Sequence, residues 1–278
     1  MTDSSIKSTV SAAENSVSAD LRPVDYERPP VVETAFRFTF PPIKGWNVFH
    51  LGLFWARLRK RYEFAEARMP MGSIEIDDLD LKLGPEAHLE TLPLRSFLLD
   101  SSKNQLLQVQ LNAFIRNWRA TIEGEHRYCH YSDLKPMFQQ DWATYREFLR
   151  DENLAEPNVF QCEVTYINHF VKGREWKTLE DIATLFPRMK FDFKGALVTS
   201  FSFAATVAEN QVRMEASPAL RHDGTPIVQL TLNVSGKPAG TSEASIWAKL
   251  DDCHKLLVET FAEITAEDLQ KRIWKRTR

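Results

Sequence analysis

Several common sources of stability and chemistry are scarce in this chain. Only three cysteines occur among 278 residues, Cys129, Cys162 and Cys253, and none forms a CxxC pair. That pattern argues against a disulfide framework or a zinc knuckle and for a reducing compartment. Glycine is limited to 10 residues, and the strings GxGxxG, Walker A, GxSxG, HExxH and the EF-hand loop are all missing. No apolar run approaches the roughly 20 residues that span a bilayer. The N-terminus lacks the apolar segment of a secretory signal. A cytoplasmic protein with no membrane contact is the expectation. Neither sign of charge dominates: 35 Lys and Arg stand against 38 Asp and Glu, a formal net charge of -3. A whole-surface attraction to nucleic acid is therefore not expected.

What the chain does hold is apolar and aromatic mass. Hydrophobic residues make up 43% of it and charged residues 26%, with 18 Phe and 7 Trp, a balance suited to a globular body with a ring-rich core. Residues 1–28 are Ser-rich with no aromatic before Tyr26. They cannot bury enough surface to offset the entropy of ordering and are expected to be a disordered tail. Residues 29–172 read as β-α-β-β-α-β. The pieces are a strand over 31–40, a helix over 47–66 striped by Leu51, Trp55, Leu58 and Tyr62, and an irregular connection over 69–93. A short strand over 95–99 and a turn at Asp100 to Asn104 follow. A Gln-rich strand then runs from Leu106, with a kink near Ala113, to about Ile122. Ser132 is placed to cap a helix carrying Leu134, Phe138, Trp142, Tyr145 and Leu149, and a strand follows over 159–170. That order is the split βαβ of ferredoxin-like domains.

Residues 173–278 read as a short helix capped by Thr178 and Asp181, strands over 196–207, 212–222 and 227–234, and a long helix over 242–264. Ile246, Leu250, Cys253, Leu257, Phe261 and Ile264 stripe that helix, and a short basic helix closes the pattern. The expected class is α+β with mostly antiparallel sheet. It combines a ferredoxin-like β-α-β-β-α-β N-terminal half with a β-β-β-α C-terminal half, packed as one unit.

The stretch 106–119, LLQVQLNAFIRNWR, alternates at the period of a half-buried strand. It carries Gln108, Gln110, Asn117 and Arg119. The strand over 159–170 adds Glu163, Tyr166, Asn168 and His169. In a split βαβ sheet these residues share one sheet. An Arg, a Glu, a Tyr, amides and a His suit a polar pocket for a small anionic or polar ligand, with Arg119 as anion clamp and Glu163 or His169 as base. The competing structural reading pairs Arg119 with Glu163 and leaves the amides satisfying one another. His126, Cys129 and His130 resemble a partial zinc set, but the spacing lacks a second ligand pair, so an exposed polar loop is preferred. His254 reads as a packed core histidine. Arg57, Arg59, Lys60 and Arg61, beside Trp55 and Tyr62, suit contact with a nucleic-acid backbone, against the plainer reading of a solvated helix face. No catalytic residue, metal or cofactor is assigned.

Certain strings carry a resemblance. They are Arg28-Pro29-Pro30-Val31-Val32-Glu33, Gly52-Leu53-Phe54-Trp55, Gln108-Val109-Gln110, Phe114-Ile115-Arg116-Asn117-Trp118-Arg119 and Gln161-Cys162-Glu163-Val164-Thr165-Tyr166-Ile167-Asn168-His169. Together they make the chain resemble an uncharacterised, sporadically distributed family of bacterial proteins with no assigned activity. The patchy distribution resembles that of genes in mobile or defence-related neighbourhoods. The leading expectation is a binding or regulatory protein acting through a protein partner, in a toxin–antitoxin or anti-phage setting, with homo-oligomers allowed. The alternatives are an enzyme or small-ligand sensor using the polar sheet face, and, ranked lower, a nucleic-acid-binding accessory protein.

Overall fold

The computed structural model describes residues 24–68, 95–120, 128–188 and 200–277. Residues 1–23, the whole 69–93 connection with residue 94, residues 121–127 with His126 and the expected strand end at Ile122, residues 189–199 and residue 278 lie outside the described residues. The elements in chain order are β1 Val31–Thr39, α1 Val48–Leu58, β2 Phe64–Arg68, β3 Arg95–Leu99, β4 Gln105–Gln110, β5 Ala113–Arg119, α2 Tyr131–Asp151 and β6 Gln161–Val171. A 3-10 turn at Leu179–Asp181 then leads into α3 Ile182–Leu185, β7 Phe201–Val207, β8 Asn210–Leu220, β9 Pro226–Gly236, α4 Glu243–Ile264 and α5 Glu267–Arg272. The strands form one sheet in the order β2-β3-β4-β5-β1-β6-β9-β8-β7. Every described pairing between these strands is antiparallel.

The α+β class with a large antiparallel sheet is present, and β7 to β9 with α4 supply the β-β-β-α half as an extension of the same sheet. Between α1 and α2, however, the described residues form four strands where the split βαβ pattern has two. The expected helix over 47–66 ends at Leu58, and Phe64–Arg68 becomes an edge strand instead. The Gln-rich run is not one kinked strand. It folds back at Leu111 and Asn112 into the β4–β5 hairpin, pairing Gln108 with Ile115 and Gln110 with Ala113.

Local sequence explains the helix starts. Asn47 caps α1 by accepting from the Phe49 amide at 3.0 Å, and its own amide donates to His50 Nδ1 at 3.0 Å, closing a capping box. Ser242 caps α4 through the Ser245 amide at 3.2 Å. α2 begins one residue ahead of Ser132, with His130 at the cap position and no side-chain cap bond.

One face of the sheet carries the helices. Phe36 and Phe38 of β1 and Phe114 of β5 point to that face. Phe38 meets Phe138, Trp142 and Trp247 at ring-centroid distances of 4.7, 5.1 and 5.0 Å. α4 lays Ile246, Leu250, Cys253, Leu257 and Phe261 into the same core, as its stripe predicts. A charged group is built into this layer. Asp141 of α2 is fully buried, ion-paired to Arg116 of β5, reached by Arg61 at 2.8 Å and hydrogen-bonded by the Tyr62 hydroxyl at 2.6 Å.

The assigned tail boundary at residue 28 shifts. Tyr26 is buried and forms a bridge with Arg276. The amides of Glu27 and Arg28 donate to the carbonyls of Lys275 and Trp274 at 3.1 and 3.0 Å. The Tyr26 ring packs edge-on against Phe261 and Trp274. Residues 24–28 thus belong to the body, clamped by the 274–277 segment.

Candidate ligand cavity

Strand parity decides where the expected site residues fall. Along β6 burial alternates residue by residue, so even positions face the helices and odd positions face away. Tyr166 and Asn168 lie on the helix face, while Glu163 and His169 lie on the opposite face, where they are half-buried. Gln108, Gln110, Asn117 and Arg119 lie on that face too, because Asn117 is paired with Ala35 and Arg119 with Glu33, across the pleat from Phe36, and Gln108 with Ile115 and Gln110 with Ala113; Gln108, Gln110 and Asn117 are nonetheless buried there. The eight expected residues are therefore divided by the sheet and do not converge on one site.

On the face away from the helices, Gln108 Nε2 donates to Asn117 Oδ1 at 2.6 Å, and Asn117 Nδ2 donates to Glu33 Oε1 at 2.7 Å. Burial pushes the Glu33 carboxyl above the usual carboxylate range, against the pull of the Asn117 bond and the Arg119 charge. Gln110 Nε2 donates to Asn112 Oδ1 at 2.8 Å. Arg119 stands opposite Glu33 in register and donates from Nε to the Lys103 carbonyl at 3.1 Å. The expected Arg119–Glu163 pair does not form: Glu163 lies opposite Arg37, four residues further along β1, about 13 Å away. Glu33, Arg119 and His169 join Arg221, His222 and Gln229 around a polar hollow of about 330 Å³ at one end of this face. Burial and the neighbouring Arg221 charge push the His169 imidazole down to about 4. It is neutral at pH 7.

The helix face holds a larger space. A cavity of about 440 Å³ lies between the Val24 to Val31 segment, the start of α2, β6 and α4. Tyr26, Tyr128, Tyr131, Tyr166 and Phe261 supply rings to its wall, and Asn168, Asp251 and His254 supply polar groups. Tyr128 and Tyr166 share a hydrogen bond between their hydroxyls at 3.3 Å. Burial pushes both phenols well above their ordinary range, so both are neutral. His254 stacks flat on Tyr131 with centroids 3.8 Å apart. Burial pushes its imidazole down to about 4. The Tyr131 hydroxyl donates to Asp251 Oδ1 at 2.7 Å, and Lys135 Nζ donates to the same carboxylate at 2.7 and 2.8 Å. Asn168 is 1% exposed. Its Nδ2 donates to the Leu230 carbonyl at 3.2 Å, while its Oδ1 accepts from no group among the described residues.

Of the expected set, only Tyr166 and Asn168 reach this cavity. Tyr26, Tyr128, Tyr131, Asp251 and His254 were not foreseen as a group. The one sequence signal was the ring-dense run Tyr128-Cys129-His130-Tyr131 immediately ahead of α2. Among the described residues, no cluster of His, Cys, Asp and Glu side chains is placed to hold a metal ion, and no helix is long and apolar enough to cross a membrane. The basic cluster is partly engaged within the fold. Arg57 pairs with Asp151 at 2.6 Å and lies over the Phe148 ring, and Arg61 pairs with Asp141. Arg59 and Lys60 are exposed.

No protein-family model matches the chain, and no curated protein matches it. Among solved structures it is similar to DynU16, a protein in the dynemicin biosynthetic locus, at 11% identity over 83% of this chain and 97% of that one, with a TM-score of 0.22. So slight a likeness carries no argument.

Proposed function

We propose that this is a small-molecule-binding protein whose ligand occupies the cavity between β6, the start of α2, α4 and the Val24 to Val31 segment. One observation carries the reading. A space of about 440 Å³, within the roughly 300–1,000 Å³ of ligand pockets, is walled by rings and supplied with a few convergent polar groups. An occupant would touch two helices, a central strand and the N-terminal segment together, which suits a sensing or regulatory role. The test is thermal unfolding of the full chain against a library of small ring compounds. A ligand that binds only the folded state raises the midpoint in proportion to its occupancy. Val258, which lines the cavity, provides the control, because Val258→Trp fills the space. Binders are expected to shift the wild type and not this variant. A library with no binder, or shifts that survive Val258→Trp, overturns the reading.

A protein-partner role is the second reading, favoured by α1. Phe49 is 66% exposed and Leu53 is 50% exposed, one turn apart on the same helix face. Paired apolar side chains of this kind suit a contact surface. A partner that binds the wild type equally well after Phe49→Asp with Leu53→Asp removes the support from that face.

A further inference from the structure

The cavity wall carries one carboxylate that no lysine or arginine among the described residues pairs. Asp251 is paired with Lys135 at 2.7 Å and Asp252 with Lys249 at 3.7 Å, while Lys255 of the same wall is paired with Glu259 at 3.9 Å. Asp25 stands apart. Its Oδ1 accepts from the Tyr26 amide at 2.9 Å and lies 3.4 Å from His130 Nδ1, an imidazole that carries charge only when protonated. Both contacts use Oδ1, which leaves Oδ2 to accept from an occupant. The side chain is 51% exposed, so the carboxylate sits where the cavity meets water. Its charge nevertheless reaches the inner wall. Burial is the main cause of the raised phenols of Tyr128 and Tyr166 and of the lowered imidazole of His254. The Asp25 charge adds to the first two shifts and, with Asp251, opposes the third. All three groups line the cavity. An uncharged occupant would strip water from Asp25 and return nothing, and an anion would add repulsion. A protonated amine replaces that water with a charge-assisted hydrogen bond, and phenol rings are a favourable wall for a cation. Val31, Leu257, Val258 and Phe261 suit an apolar body behind the charged end.

Resting on the cavity reading above, we propose that the ligand is a monocationic organic amine, with an apolar, ring-bearing body inside the cavity and one ammonium group at its mouth donating to Oδ2 of Asp25. One unpaired carboxylate calls for one positive charge. A second would meet only carboxylates that lysines already hold.

Three probes that share one ring body test the charge when titrated by calorimetry into the full chain at pH 7. 1-Naphthylmethylamine is cationic, 1-naphthylmethanol is neutral and 1-naphthoate is anionic. The amine is expected to bind about tenfold tighter than the alcohol, the worth of one charge-assisted hydrogen bond at a half-exposed site, with the naphthoate weakest. Raising the ionic strength to about 1 M is expected to shrink that preference. Asp25→Asn keeps an acceptor for the Tyr26 amide and removes the charge, and is expected to bring the amine down to the affinity of the alcohol. Asp252→Asn, on the same wall but already paired with Lys249, is expected to keep the preference. A preference that survives Asp25→Asn, or that Asp252→Asn removes instead, overturns the choice of Asp25. Should Asp25→Asn fail to fold, a preference that salt leaves unchanged overturns it equally. Equal affinity for amine and alcohol, or tightest binding by the naphthoate, overturns the assignment of a cation while leaving the cavity reading intact. Binding by none of the three, where the wider library does yield binders, overturns this inference alone. Binding by none, in a chain that the library also fails to stabilise, overturns the cavity reading and this inference with it.

Discussion

The imidazole of His254 lies flat against the ring of Tyr131, 3.8 Å between centroids and 6° from parallel. One residue comes from α4 and the other from the first turn of α2, so the stack ties the two long helices together where the cavity opens between them. Tyr131 in turn donates to Asp251 on α4. An uncharged imidazole suits this stacked, enclosed position, whereas an imidazolium would sit there with little hydration.

The stack makes stability depend on pH in one direction. Burial lowers the folded pKa of His254 to about 4, below the roughly 6.5 of an unfolded histidine. As pH falls below 6.5 the unfolded chain takes up the proton first, so the stabilisation is complete above that pH and is lost progressively toward pH 4. His169 is shifted the same way by burial and Arg221. Urea midpoints measured from pH 7.5 to 4.5 are expected to fall, with His254 alone contributing on the order of 1–3 kcal/mol. His254→Gln is expected to flatten the fall, and an unchanged slope refutes the assignment.

The buried group at Asp141 is expected to behave as a unit. Asp141→Asn keeps the shape but leaves the Arg116 guanidinium, 5% exposed, without its counter-charge. The expected cost is about 3–5 kcal/mol in denaturant unfolding. Removing both charges with Asp141→Leu and Arg116→Met is expected to recover a good part of that loss. Simple additivity of the two single changes would show that the pair is not coupled.

The Gln108–Asn117–Glu33 chain leads to a smaller effect. Asn117→Ala removes the donor that holds the Glu33 carboxylate in a buried place where its pKa is already raised. Stability at pH 7 is expected to drop by about 1–3 kcal/mol and to be partly regained as Glu33 protonates at lower pH. Equilibrium unfolding of the variant at pH 7 and pH 5 reads this out. An equal loss at both pH values would place the effect in packing.

The clamp around Tyr26 sets a further expectation. Tyr26→Phe removes only the bond from its hydroxyl to Gln270 Oε1 and is expected to cost about 1 kcal/mol. Trp274→Ala opens a gap against Phe170, Phe261 and Tyr26 and is expected to cost about 3–5 kcal/mol. The second change is also expected to expose residues 24–31 to limited proteolysis at a rate the first does not reach.

Helix faces were legible in α2 and α4, and only in part in α1, where Phe54 rather than Trp55 is buried and Tyr62 lies beyond the helix end. The α4 stripe from Ile246 to Phe261 and its Ser242 cap follow directly from spacing and residue type. The fold-back of the Gln-rich run was not legible, because its turn has no local signature. Leu111 and Asn112 include no glycine, and neither has positive φ. Their carbonyls are held by the amides of Ile43 and Phe40, contacts that no local window contains. The candidate site was half legible. Parity along one strand already sets Tyr166 and Asn168 apart from Glu163 and His169, so the grouping of all four on one face had its refutation in the numbering. What parity cannot supply is the arrival of Asp251 beside Tyr131, 120 residues away, or of Tyr26 beside Phe261.

Tyr26 and Gln270 are hydrogen-bonded across 244 residues of chain, and the segment between them contains every strand described here and every helix but α5, in which Gln270 itself lies. A growing polypeptide cannot form that bond until residue 270 has left the ribosome. The sheet and its helices can therefore assemble with the cavity still open along one wall, and the closing of that wall is a late event in the life of each new molecule. On the ligand reading proposed above, a small molecule present during synthesis meets an open basin, and one arriving later a finished vessel.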